Sequence, residues 1–107
     1  MLMKKLTYKI DSDNLIKDLI ELGFIQVEKG IFIHRFAGFK WHTYTTITCK
    51  FTAFVDEKEL RVDVFTESGD AYVPFYKNDI NNHVLSIIQS NIEKELENCN
   101  KILKFEE

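Results

Sequence analysis

Apolar and polar positions along the chain change period several times, and each change marks an element. Leu6, Tyr8 and Ile10 alternate with Lys5, Thr7 and Lys9, which predicts a short strand over 4–10. Asp11-Ser12-Asp13-Asn14 is a run of N-cap residues. Leu15, Ile16, Leu19, Ile20 and Leu22 then follow at helical spacing, and Gly23 stands where a helix C-terminus favours glycine. Two β-rich runs, 24–28 and 31–36, flank Lys29-Gly30 and predict a hairpin. Residues 37–40 are expected as a loop.

Residues 41–55 carry the longest alternation. One face is Trp41, Thr43, Thr45, Ile47, Cys49, Phe51, Ala53 and Val55, which grows apolar along the chain. The other is His42, Tyr44, Thr46, Thr48, Lys50, Thr52 and Phe54, a threonine-rich face of the half-solvated kind. At this length a bulge or bend is expected along the strand. Leu60, Val62 and Val64 alternate with Glu59, Arg61 and Asp63 in the next strand. Residues 71–76 predict a last edge strand, since Pro74 bars a central position. Asn78 is expected to cap a long helix. Its stripe is Ile80, Val84, Ile87, Ile88, Ile92, Leu96, Cys99 and Leu103, and its length is roughly 25 residues, or about 37 Å.

These elements predict one α+β domain spanning 1–107. A four- to five-stranded antiparallel, meander-like sheet carries a short N-terminal helix and a long C-terminal helix packed on one face. The order helix, antiparallel strands, helix over 11–103 resembles that of the double-stranded RNA-binding domain. The lysine cluster of that family's last helix is replaced here by Asn78-Asp79-Ile80-Asn81-Asn82-His83, so no function is carried over.

Composition sharpens the picture only in places. The chain is 45% hydrophobic and holds nine Phe, enough for a core without staples. The net charge of −3 gives no global positive field for a phosphate backbone. Cys49 and Cys99 stand outside any metal or redox spacing and are expected as buried free thiols of a reducing compartment. No apolar run approaches the ~20 residues of a membrane span, and no leader pattern follows Lys4-Lys5, so a cytoplasmic location is expected. Twelve Lys against two Arg, with twelve Ile and three Ala, is the bias of AT-rich codons. A low-GC bacterium, or a phage or mobile element within one, is the source this suggests.

The segment 34–44 is the local anomaly. It holds two His, one Arg, one Lys and four aromatic residues with no carboxylate, in a chain that is acidic overall. Arg35, Lys40, Trp41, His42 and Tyr44 are therefore the candidate binding residues, since rings stack and cations neutralise anions. Aromatic plugging of one end of the sheet is the plainer account of the same residues. His34, His42 and His83 lack a carboxylate or thiolate at fixed spacing, and no metal or cofactor is expected. The carboxylates over 56–70 alternate with Lys58 and Arg61 as a solvated face does. Nucleophile elbows, phosphate-binding loops and dinucleotide fingerprints are missing.

The expectation is a small non-catalytic binding protein, an accessory or inhibitor protein of a phage or mobile element acting on another protein. A nucleic-acid or nucleotide binder using 34–44 is the alternative, and an enzyme subunit is the second alternative. A homodimer is expected through the distal C-terminal helix, where Ile92, Leu96, Cys99, Ile102 and Leu103 would outrun the sheet.

Overall fold

The structure, a computed structural model, describes residues 6–41, 45–79 and 81–104. Its centre is a six-stranded antiparallel sheet. Strands are β1 (Thr7–Ile10), β2 (Ile25–Glu28), β3 (Ile31–Trp41), β4 (Thr45–Phe54), β5 (Glu59–Thr66) and β6 (Leu103–Lys104), in the spatial order β2-β3-β4-β5-β1-β6. The predicted meander is thus present as β2 to β5. The terminal strands β1 and β6 extend it beyond β5, which raises the expected strand count to six.

Helices α1 (Leu15–Glu21) and α3 (Val84–Asn98) lie against one face. Asn14 caps α1 through its side-chain oxygen, which accepts the Lys17 N–H at 3.2 Å. Gly23 (φ +97°) then releases the chain toward β2. Leu15 and Leu19 turn inward, while Ile16 and Ile20 remain exposed. Leu85, Ile88 and Ile92 form the buried stripe of α3. Between the layers lie Phe32, Cys49, Phe51, Ala53, Leu60, Val62 and Val64, all essentially inaccessible. The alternation over β4 and β5 therefore reads the core face as expected. Each Ile, Leu or Phe so buried contributes about 1.5–3 kcal/mol of transfer free energy.

Several expectations need correction. The segment 37–40 is strand, not loop: β3 runs through it to Trp41. The register shifts there, from Ala37 opposite Thr48 to Phe39 opposite Ile47, so Gly38 is the extra residue of a bulge. A Cβ at Gly38 would stand 2.6 Å from Cys49 Sγ, and this close approach demands glycine. As a result the predicted single strand 41–55 is divided: Trp41 ends β3, Thr45 opens β4, and the reversal lies outside the described residues.

Residues 71–76 do not form an edge strand. Ala71 makes one bridge to Phe65, and the chain then enters the short helix α2 (Val73–Lys77). Pro74 sits in its first turn, where the missing N–H costs nothing. Asn78 closes α2 in the left-handed conformation (φ +52°) and does not open the last helix. Helix α3 is accordingly 15 residues long, about 22 Å. It does not outrun the sheet: Ile92, Cys99 and Ile102 are buried by the protein's own layers, and Leu96 and Leu103 are half-buried. The apolar surface on which a helix-mediated homodimer would rest is used internally. No described helix is long and apolar enough to cross a membrane.

Candidate functional site

The opposite face of the sheet is covered by neither α1 nor α3, and strand pairing fixes which side chains share it. Direct cross-strand partners point to the same face, and Val62, Leu60 and Val64 point into the core, so Glu59, Arg61 and Asp63 point away. Three cross-strand rows follow from the register. Arg35 lies beside Lys50, which lies beside Asp63. Ile33, Thr52, Arg61 and Thr7 make the next row. Ile31, Phe54, Glu59, Lys9 and Lys104 make the third. The bulge at Gly38 matters here. An unbroken alternation would put Arg35 and Lys40 on opposite faces, but the extra residue returns Lys40 to the face of Arg35, opposite Thr46.

Described strand residues on this open face include six cations: Lys9, Arg35, Lys40, Lys50, Arg61 and Lys104. They face three carboxylates, Glu28, Glu59 and Asp63. An excess of three positive charges among these strand residues, in a chain with net charge −3, leaves the rest of the chain net negative. Arg61 donates to Asp63 at 3.2 Å, and Lys50 lies 5.9 Å from the centre of the Phe65 ring. Arg35 and Lys40 are exposed and make no ion pair or hydrogen bond with a described residue. Ile25 and Val27 on β2 add an exposed apolar margin.

Of the five candidate residues, the structure brings Arg35 and Lys40 together on this face. Trp41 closes β3, and its side chain lies outside what is described, as do His42 and Tyr44. Lys50, Arg61, Lys9 and Lys104 were not expected in the site. They are distant in sequence, and only the pairing of β3, β4, β5, β1 and β6 assembles them.

His34 lies on β3, and His42 lies outside the described residues. His34 points to the helical face. Its ring lies among Phe24, Phe36 and Phe51, and its Nε2 is 3.1 Å from Glu95 Oε2 of α3. Among the described residues, no three His, Cys, Asp or Glu side chains converge as metal ligands. Both thiols are free and buried. Burial pushes Cys49 up to about 12 and Cys99 up to about 11, so each is protonated at neutral pH.

A cleft of about 420 Å³ opens where β1, β6 and the β4–β5 turn meet. Lys9, Lys58 and Lys104 line it together with Asp11, Glu57 and Glu59. Lys58 already donates to Asp11 at 3.2 Å, and the balanced charges give the cleft no preference for either sign of ligand. Compared with known families, curated proteins and solved structures, the chain matches none significantly.

Proposed function

We propose that this is a non-catalytic binding protein whose working surface is the uncovered face of the sheet, and that its partner is another protein presenting carboxylates. The observation that carries this reading is the six-to-three excess of cations over carboxylates on that face, in an otherwise acidic chain. Complementary potentials of this kind steer association and suppress wrong partners. The threonines Thr46 and Thr48 between the cations supply short hydroxyls that do not shield the sheet. An accessory or inhibitor protein of a phage or mobile element is the role this module fits.

Nucleic acid is the alternative occupant. The face has cations for phosphates, but a single-strand platform also needs rings that bases can stack on. Phe65 and Phe54 are only half-exposed, and Phe65 is already approached by the Lys50 ammonium. Those observations favour a protein partner.

The test is cross-linked capture of partners from the native host with the wild-type chain and two variants. One carries Arg35→Glu and Lys50→Glu on the open face, and the other carries Ile16→Asp on the outside of α1. Loss of one captured protein with the first variant and its retention with the second supports the reading. Equal capture by all three refutes it. Binding of a labelled oligo-dT with a steep salt dependence would transfer the face to nucleic acid instead.

A further inference from the structure

The edges of the sheet are not treated alike. The distal edge of β5, left free where β1 ends, is closed by the chain that follows it. Tyr72 N–H donates to Val64 C=O at 3.0 Å, and Val64 N–H donates to the Tyr76 hydroxyl at 3.0 Å. That hydroxyl in turn donates to Asp63 at 3.2 Å. The β6 edge is two residues long. The β2 edge is four residues long and bulged between Gln26 and Glu28. Short, bulged or covered edges are the ordinary means of preventing strand addition.

Strand β3 is the exception. It has eleven residues, but β2 pairs only with Ile31, Phe32 and Ile33. From Arg35 to Trp41 no described strand lies along its outer edge. Side chains along this stretch divide by face. Arg35, Ala37 and Lys40 stand exposed on the open face, whereas the half-buried Phe36 and Phe39 rings lie on the helical side. Helix α3 borders that side. Asn91 donates to the Gly38 carbonyl at 2.7 Å, and one turn before it, on the same stripe, Ile87 is 42% exposed. The edge is therefore cationic on one side and apolar on the other.

The geometry points to a strand-addition site along Arg35–Trp41 for an extended segment of another protein, with carboxylates at alternate positions and apolar side chains between them. This rests on the reading of the open face given above and names where on it the partner binds. The incoming backbone pairs with β3 end to end with β2. Its carboxylates fall beside Arg35 and Lys40, and its apolar side chains fall against Phe36, Phe39 and Ile87. The Gly38 carbonyl is already occupied by Asn91, so pairing runs on either side of the bulge. Main-chain hydrogen bonds hold such a segment, and alternate side chains select it.

A fluorescein-labelled decapeptide of alternating glutamate and valine is the probe, read by fluorescence anisotropy at low salt. The expected result is saturable binding and slower amide exchange within 36–40. Arg35→Glu with Lys40→Glu, whose side chains are both exposed, should weaken binding at least about tenfold, or 1.4 kcal/mol. A peptide N-methylated on alternate residues keeps its charge but loses donors on one edge, and placing the methyl groups on the other alternate set treats the second edge. One of the two should bind at least about tenfold more weakly. Equal affinity of both N-methylated peptides and the parent, with the charge-reversal loss intact, overturns strand addition while leaving the open-face reading standing. No binding of the parent peptide overturns the proposal. If the host partner is also captured equally by the Arg35→Glu, Lys50→Glu variant, the open-face reading falls with it.

Discussion

Substituting Gly38 by alanine tests the device that orients the cationic edge. The new Cβ would meet Cys49 Sγ at 2.6 Å and the Ile47 carbonyl oxygen at 3.3 Å. The sulfur is fully buried on β4 between Ile47 and Phe51, so it has little room to retreat. Overpacking of this kind costs about 1–3 kcal/mol. With a urea slope of about 1–3 kcal/mol/M for a small domain, the midpoint should fall by roughly 1 M. Cys49→Ala alone removes a buried sulfur and should cost about 1 kcal/mol. In the double variant the two losses should not add, because the alanine methyl at 38 occupies space the sulfur has left. A favourable coupling of about 1 kcal/mol or more is expected from the cycle. Urea unfolding followed by circular dichroism supplies all four stabilities. Strict additivity would show that the Gly38–Cys49 approach is not what requires glycine.

Three further outcomes follow from the described contacts. Tyr76→Phe removes the hydroxyl that accepts the Val64 N–H, and should cost about 0.5–1.5 kcal/mol and speed amide exchange at Val64; unchanged exchange there would mean the edge is closed by other groups. Cys49 and Cys99, pushed up to about 12 and about 11, should resist a disulfide reagent at pH 8 in the folded protein and react at once in denaturant; rapid reaction of the native protein would contradict their burial. Asp11 is held below the usual carboxylate range, first by the hydrogen bond from Lys58. A carboxyl depressed on folding contributes stability that is present above its unfolded pKa and lost as pH falls through the folded one. Asp11→Asn should therefore narrow its stability gap to the wild type as pH drops below about 4, and a gap that widens on acidification would reverse the assignment.

Legibility from sequence depended on whether the hydrophobic period survived locally. It survives over β4 and β5, where Ile47, Cys49, Phe51, Leu60, Val62 and Val64 are buried as their alternation implies. At Gly38 the bulge inserts one residue and destroys the period, so a strand resembles a loop. Across 41–45 the alternation runs on without Gly, Pro, Asn or Asp, so the reversal between β3 and β4 leaves no turn signal. Pro74 fits an edge strand and a helix first turn equally well, and the helix shows only in the turn bonds that Phe75 and Asn78 N–H donate to the Tyr72 and Phe75 carbonyls. Within the site, Arg35 and Lys40 stand out because their segment has no carboxylate. Lys50, Arg61, Lys9 and Lys104 carry no such mark, and their meeting is a product of sheet order.

That order also sets a sequence of events in time. Neighbouring strands β3, β4 and β5 meet by closing short loops, whereas β1 and β6 meet through Ile10 and Leu103. Closing a loop of about 90 residues costs roughly 2 kcal/mol more chain entropy than closing one of about 10. The meander can therefore assemble while β1 and β6 still diffuse, and their seam is the last to zip and the first to part. Tritium or deuterium would enter the backbone at this seam well before it reached the amides of β4.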